Sequence, residues 1–266
     1  MRTKKMIRAT FSAKDNRMSF GLPQSWQELS QRELAMVFRV IDRNPEPSQA
    51  QMAVLLHLTG MEISYREVAN WRCKVRAVCE GKDTTVSFLI EAETMAWMIE
   101  QLEWINRPGI VPVRLHEVIS DGWNRVTALP ADMHGVKFST YLIAENCYQG
   151  VLMSRSDDAV RQLAGVLYPG LKRKLDSWEQ IMVIHWWAQV KGMFGDLFPH
   201  FFKPAGDYDG TEAPDMRTIM DNQIRALTGG DITKEKEVLG MDVWRALTEL
   251  DAKAKEAEDF KKSMKK

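Results

Sequence analysis

The segment SWEQIMVIHWWAQVKGMFGDLF, residues 177–198, contains the most apolar long window of the chain, and it indicates a mainly helical fold. Ser177 and Gln180 have the spacing of a capping box, in which two side chains each satisfy a backbone amide at the start of a helix. Ile181 and Ile184 then recur at helical intervals. We therefore predict that this segment is the central core helix of the protein.

Further helices are predicted from the same two features, apolar periodicity and residues that begin or end a helix. Ser25 with Glu28 and Ser30 with Glu33 both have capping-box spacing, and Gly60 is suited to end a helix in the left-handed conformation. The predicted helices begin after Ser30, span 48–59, 92–105, 138–153, 157–167 and 216–227, and begin again near Asp242. Helices therefore dominate both halves of the chain.

One strand pair is predicted in the N-terminal half. Trp71, Cys73 and Val75 alternate with basic residues over residues 71–80, as a half-buried strand requires. A Gly-Lys-Asp turn follows, and residues 84–90 have the composition of a returning strand. The sequence thus predicts a mainly α protein of the α+β class, a helical protein with a small β-hairpin insertion.

The distribution of proline and glycine predicts how the chain is divided. Residues 1–109 form an N-terminal helical region with the hairpin, and 110–135 form an irregular connection or a weak second hairpin. Residues 136–250 form a helical C-terminal region, interrupted by a polar loop at 203–214, and 251–266 form a charged tail in which the last helix frays.

The charge balance bounds the partners of the protein. Lys plus Arg and Asp plus Glu both number 36 in 266 residues, so no global field favours nucleic acid, and nucleic-acid binding is not expected. The short basic run at 171–175 is interpreted as a solvated linker, with a phosphate or an acidic partner as the alternative. Basic residues also cluster at the two ends of the chain, where we expect solvated tails.

The apolar stretches and cysteines predict a cytoplasmic protein that is not inserted in a membrane. Residues 181–190 are too few to cross a bilayer, and the first residues lack the apolar stretch that a secretory signal requires. The three cysteines form no Cys-x-x-Cys pair, which is typical of reduced thiols in the cytosol.

No familiar catalytic, metal or nucleotide motif occurs in the sequence. The phosphate-binding loop, the dinucleotide-binding turn and the hydrolase nucleophile elbow are all missing, and the five histidines lack the spacing of a helical zinc site. We therefore predict no catalytic residue, no cofactor and no metal. The enzymatic alternative would use an unfamiliar site made of His134, Glu145 and Cys147.

Aromatic residues are densest in and after the central helix. Trp186, Phe194 and Phe198, together with Trp244 and Leu247 of the last helix, are the predicted protein-binding residues. The alternative is that these side chains form core, as aromatic residues at helical spacing more often do. Few basic residues lie among them, which disfavours base stacking as their role.

Three segments resemble an uncharacterised protein family of Bacteroidota phages and prophages that lies near tail morphogenesis genes. They are LPQSWQELSQRELAMVFRVI near the start, ALPADMHGVKFSTYLIAENCYQGVLMSRSDDAVRQLAGVLYPG in the middle and EVLGMDVWRALTELDAKAKEAEDF at the end. The residues that carry the likeness are Pro23, Trp26, Glu28, Leu29, Glu145, Leu163, Leu167, Tyr168, Trp244 and Leu247. Most are packing or capping residues, so the resemblance supplies no active site.

The resemblance implies a role like that of tail assembly chaperones, which hold a tail-tube or tape-measure protein in the host cytoplasm before it polymerises. The 16 methionines suit adaptable binding. Pro169 and Gly170 depart from the pattern, because an Arg would be expected there, and the central hairpin has no counterpart. The alternative is a structural virion component, such as a connector or adaptor.

Overall fold

The computed structural model describes residues 9–12, 14, 17–109, 111–113, 116–154, 156–202 and 216–264. The chain divides into two compact units, Met1–Gly109 and Ile110–Lys266, which are described separately below. The predicted polar loop at 203–214 and the basic residues at 2–8 lie outside the described residues.

Three helices of the first unit follow the predicted order. They are α1 (Gln31–Arg43), α2 (Pro47–Thr59) and α3 (Ala92–Glu100). Ser30 and Glu33 form the predicted capping box of α1, and α2 ends at Gly60, whose φ is 68°. The capping box predicted at Ser25 is wrong, because the residues after it form only a 3-10 turn and its side chain makes no cap.

Five strands form one sheet in the first unit. They are β1 (Ala9–Ser12), β2 (Arg17–Phe20), β3 (Glu62–Arg66), β4 (Asn70–Cys79) and β5 (Lys82–Glu91). β4 and β5 are antiparallel partners along their whole length, and β3 and β1 both pair with β4. The predicted strand pair is therefore present, but it is the centre of a larger sheet rather than a small insertion.

A tryptophan pair closes the helical side of the first unit. Trp26 stacks on Phe38 with ring centroids 5.4 Å apart and meets the edge of Trp104 at 5.2 Å. The Trp26 indole N–H donates to the Arg107 carbonyl at 2.9 Å, and the Trp104 indole N–H donates to the Pro23 carbonyl at 3.1 Å. Pro23 and Trp26, two residues of the resemblance, therefore act in packing.

The second unit has a hairpin and six α-helices among its described residues. The hairpin is β6 (Val118–Asp121) with β7 (Asn124–Thr127). Residues 110–135 were predicted as an irregular connection or a weak second hairpin, and the hairpin is present. The helices are α4 (Phe138–Ser154), α5 (Asp157–Leu167), α6 (Ser177–Leu197), α7 (Met216–Thr228), α8 (Glu235–Gly240) and α9 (Val243–Ser263).

Two ends of these helices differ from the prediction. The cap of α6 is Asp176, one residue before the predicted one, and its backbone N–H donates to the Glu179 carboxylate at 2.9 Å. α9 continues to Ser263 instead of fraying into a charged tail. The Asp251 carboxylate accepts from the backbone N–H groups of His200 and Phe201, at 2.8 and 2.9 Å, which fixes this part of α9.

The fold is thus α+β with helices predominating. None of the helices in the described part of the chain is long and apolar enough to cross a membrane.

Candidate functional site

Four of the five predicted protein-binding residues form core of the second unit, which corrects the prediction that these four provide a surface. Trp186, Phe194 and Leu247 have no exposed area, Phe198 is 7% exposed and Trp244 is half-buried. Phe194 and Phe198 meet the Trp244 ring edge-on at 5.6 and 6.1 Å. Because the partners of these rings belong to the same unit, their area is already removed from water.

Glu145, which carries part of the resemblance, lies in a polar network between α4 and α6. Its carboxylate accepts from the Trp187 indole N–H at 3.1 Å, from the Gln149 amide at 2.7 Å and from the Lys191 ammonium. The side chain of Glu145 is 12% exposed. Burial, with the nearby Glu145 carboxylate, raises the pKa of Tyr141 well above its ordinary value. These contacts make Glu145 a structural ion-pair partner.

The geometry disfavours the enzymatic alternative, a site made of His134, Glu145 and Cys147. Burial raises the pKa of the Cys147 thiol and so lowers its thiolate fraction, which is the reactive form. The His134 ring lies against Trp244 with centroids 4.1 Å apart, and its Nδ1 is 3.2 Å from the Asp132 carboxylate. Each side chain of the suggested trio is thus engaged in local packing or ion pairing. Among the described residues no group of three or more His, Cys, Asp or Glu could hold a metal ion.

A half-buried histidine on α6 belongs to another polar chain. The Gln189 side-chain oxygen accepts from the Val113 backbone N–H at 2.6 Å, and its amide nitrogen is 2.8 Å from His185 Nε2. The amide is therefore oriented to donate to His185 Nε2, which requires a lone pair there. Burial lowers the pKa of His185 to about 4, so this imidazole is neutral near pH 7.

The hairpin of β6 and β7 presents the most exposed tryptophan. Gly122 and Trp123 form its two-residue connection, and Gly122 has a φ of 62°. Glycine at the first position of such a connection is typical of a type II′ turn. Trp123, at the second position, is 105% exposed. A large aromatic side chain is therefore held at the tip of the hairpin, in water.

Hydrogen bonds fix this hairpin to the segment before α6. The Lys172 backbone N–H donates to the Asp121 carboxylate at 2.7 Å, and Arg173 Nε donates to the Ser120 carbonyl at 3.0 Å. The Arg173 guanidinium also donates to both oxygens of Glu179, at 2.8 and 2.6 Å. The basic run predicted as a solvated linker thus contains two residues, Lys172 and Arg173, that hold the hairpin in place.

The Arg173–Glu179 pair is largely removed from solvent, with side-chain exposures of 30% and 4%. Burial raises the pKa of the Glu179 carboxyl, but hydrogen bonds from the Arg173 guanidinium and the Asp176 backbone N–H outweigh it. The pKa of Glu179 consequently lies below its ordinary value of 4.5. Glu179 is therefore ionised at neutral pH and fully paired, which gives the hairpin a rigid base.

We predict that Arg173→Lys lowers the free energy of unfolding by about 1–2 kcal/mol, because lysine cannot reproduce the fork to Glu179 together with the bond to Ser120. Urea unfolding measures the change. The matched control is Arg161→Lys, since Arg161 pairs with Asp158 on the surface, and it should stay within about 0.5 kcal/mol of the parent protein. Equal losses in both variants would contradict the role of Arg173.

Trp123 was missed in the sequence although a pattern pointed to it. Gly122 followed by Trp123 is a Gly-x pair, which is typical of the two-residue connection of a type II′ hairpin. The strands on either side are only four residues long, which is too short for a clear alternation. The prolines near them also favour an irregular segment over a hairpin.

Comparison with protein-family models, with curated proteins and with solved structures found no match to this chain.

Proposed function

We propose that the protein is a non-enzymatic protein-binding factor that acts in the assembly of phage or prophage tails, as a chaperone for a tail-tube or tape-measure protein. The observation that carries the binding role is Trp123, fully exposed at the tip of a hairpin held by Asp121 and Arg173. Tryptophan is enriched among the few residues that dominate binding energy at protein interfaces. Because the hairpin is held in place by hydrogen bonds, its backbone loses less entropy on binding than a free loop would.

The tail-assembly role is supported by the resemblance of the three segments, and it names the partners to be tested. The protein is co-expressed with the tail-tube and tape-measure products of its own gene cluster, and each pair is purified through a tag on the phage protein. Co-purification of at least one pair in stoichiometric amounts is the expected result. If neither product retains the protein, the proposal of a tail chaperone is wrong.

The hairpin site predicts a specific loss of affinity. Trp123→Ala should weaken the complex about 30-fold, which corresponds to the roughly 2 kcal/mol expected of a central interface residue. Calorimetric titration of the purified pair measures the dissociation constant. The matched control is Trp97→Ala, which removes a tryptophan that is 58% exposed on α3, and it should leave the affinity unchanged. An unchanged affinity in Trp123→Ala would exclude the hairpin as the binding site.

Purified particles distinguish a chaperone from a structural virion component. A chaperone is released before the tail is complete, so mass spectrometry of mature particles should not detect the protein. Its presence at a fixed copy number relative to the tail-tube protein would favour a connector or adaptor.

A further inference from the structure

The solvent-facing side of the sheet in the first unit contains an open groove of about 590 Å³. Tyr65 of β3, Arg72 of β4 and Leu89 of β5 lie side by side across three strands. Lys74 is the next residue of β4 on the same face, because alternate residues of a strand share a face. Tyr65 and Leu89 are 59% and 65% exposed and form the two apolar sides of the groove. Arg72 and Lys74 form its basic floor between them.

The two cations of the floor, Arg72 and Lys74, form no ion pair with the described residues. By contrast, Arg76, the next residue on this face, pairs with Asp83 at 3.0 Å. Glu62 is in register with Lys74 and Glu67 lines one end of the groove. The groove therefore has two available cations in its middle and carboxylates at its borders.

We propose that this groove binds an extended acidic segment of a partner protein, with carboxylates at alternate positions that meet Arg72 and Lys74. Residues two apart on a strand are about 7 Å apart, so the two cations match side chains at positions i and i+2 of an extended chain. Tyr65 and Leu89 flank that chain and offer it exposed apolar area on either side. The site lies in the other unit from Trp123 and does not depend on the hairpin.

The same geometry disfavours a nucleic acid as the occupant. A phosphate backbone carries a charge at every residue, and here it would meet Glu62 and Glu67 as well as the two cations. Among the described residues Tyr65 is the single aromatic side chain that lines the groove, whereas binding of single strands generally uses several stacking rings. An alternating acidic peptide places its charges only where the groove has cations.

The test uses the full chain and a fluorescein-labelled peptide of alternating Glu and Thr. Fluorescence anisotropy at low salt should give saturable binding, and replacing Glu by Gln in the peptide should abolish it. The double variant Arg72→Gln with Lys74→Gln should weaken binding at least about tenfold. The matched control Arg76→Gln, on the same strand and face but already paired, should leave the affinity within about twofold.

Three outcomes would overturn the proposal. They are an absence of saturable peptide binding, an equal loss in Arg76→Gln, and tighter binding of a labelled oligothymidylate of the same charge than of the peptide. Amide chemical shifts of the parent protein provide a measurement that needs no variant. The peptide should shift the resonances of β4 around Arg72 and Lys74, and shifts confined to other elements would also contradict the assignment.

Discussion

Replacing Glu145 by Ala is expected to lower the free energy of unfolding by about 3 kcal/mol, because it removes one partner of a largely buried ion pair. The Lys191 ammonium, 29% exposed, would lose its counter-charge. Trp187 has no exposed area, so its indole N–H would lose its acceptor without gaining water. Gln149 would lose an acceptor as well. The loss arises from groups left unsatisfied, not from the small volume removed.

Two further variants separate charge from hydrogen bonding in this network. Glu145→Gln keeps an oxygen for the Trp187 indole but removes the charge, so its loss should be smaller than that of Glu145→Ala. The matched control is Glu103→Ala, which breaks the exposed pair with Arg107 and should change stability by no more than about 0.5 kcal/mol. Urea unfolding at pH 7 measures all three. A loss below about 1 kcal/mol in Glu145→Ala would contradict the structural role of the network.

Helix positions were predictable because the residues that determine them are local. The Ser30 capping box, the Ser156 cap and the positive φ of Gly60 each depend on neighbours within one turn. The cap of α6 was misplaced by one residue because Asp176 and Ser177 are both good caps, and Glu179 completes the box only from Asp176. The local pattern predicts the helix, and the hydrogen-bond partners of the capping side chains determine its first residue.

The sheet was only partly predictable because most of it is not local. The alternation in β4 and the turn at Gly81 indicate a hairpin, and both strands lie within residues 70–91. β1 and β2 are four residues long, too short for a clear period, and the pairing of Thr10 with Val78 joins distant parts of the chain. β1 is held by its pairing with the longer strand β4, and β2 by its pairing with β1.

The aromatic cluster was assigned to the surface because sequence spacing does not distinguish a core helix from an interface helix. One feature of α6 did indicate burial: its apolar residues cover more than one face, since Ile181, Ile184 and Ala188 lie on a different side of the helix from Val183, Trp187 and Val190. A helix that is apolar all round is typical of a protein interior. A surface residue such as Trp123 stands out only after the turn that carries it is recognised.

Acid should destabilise the second unit through His185 by about 3 kcal/mol between pH 7 and pH 4. Burial lowers the pKa of His185 from 6.5 to about 4 in the folded protein, whereas the unfolded chain keeps the ordinary value. As the pH falls below 6.5, the unfolded chain binds a proton that the folded protein does not bind until about pH 4. Protons therefore favour unfolding throughout this window, and stability rises with pH.

The geometry around His185 explains why protonation and folding oppose each other. Gln189 is held with its oxygen toward the Val113 N–H, so its amide N–H faces His185 Nε2, and a proton on Nε2 would set two donors against each other. His185→Gln should remove about 3 kcal/mol of the difference in stability between pH 7 and pH 4, measured by urea unfolding at both values. His134→Gln, which replaces a histidine whose side chain is 62% exposed, is the matched control substitution. Parallel pH profiles for the His185 variant and the parent protein would contradict this prediction. They would show that the imidazole takes up its proton without unfolding the protein, which would argue against the orientation inferred for Gln189.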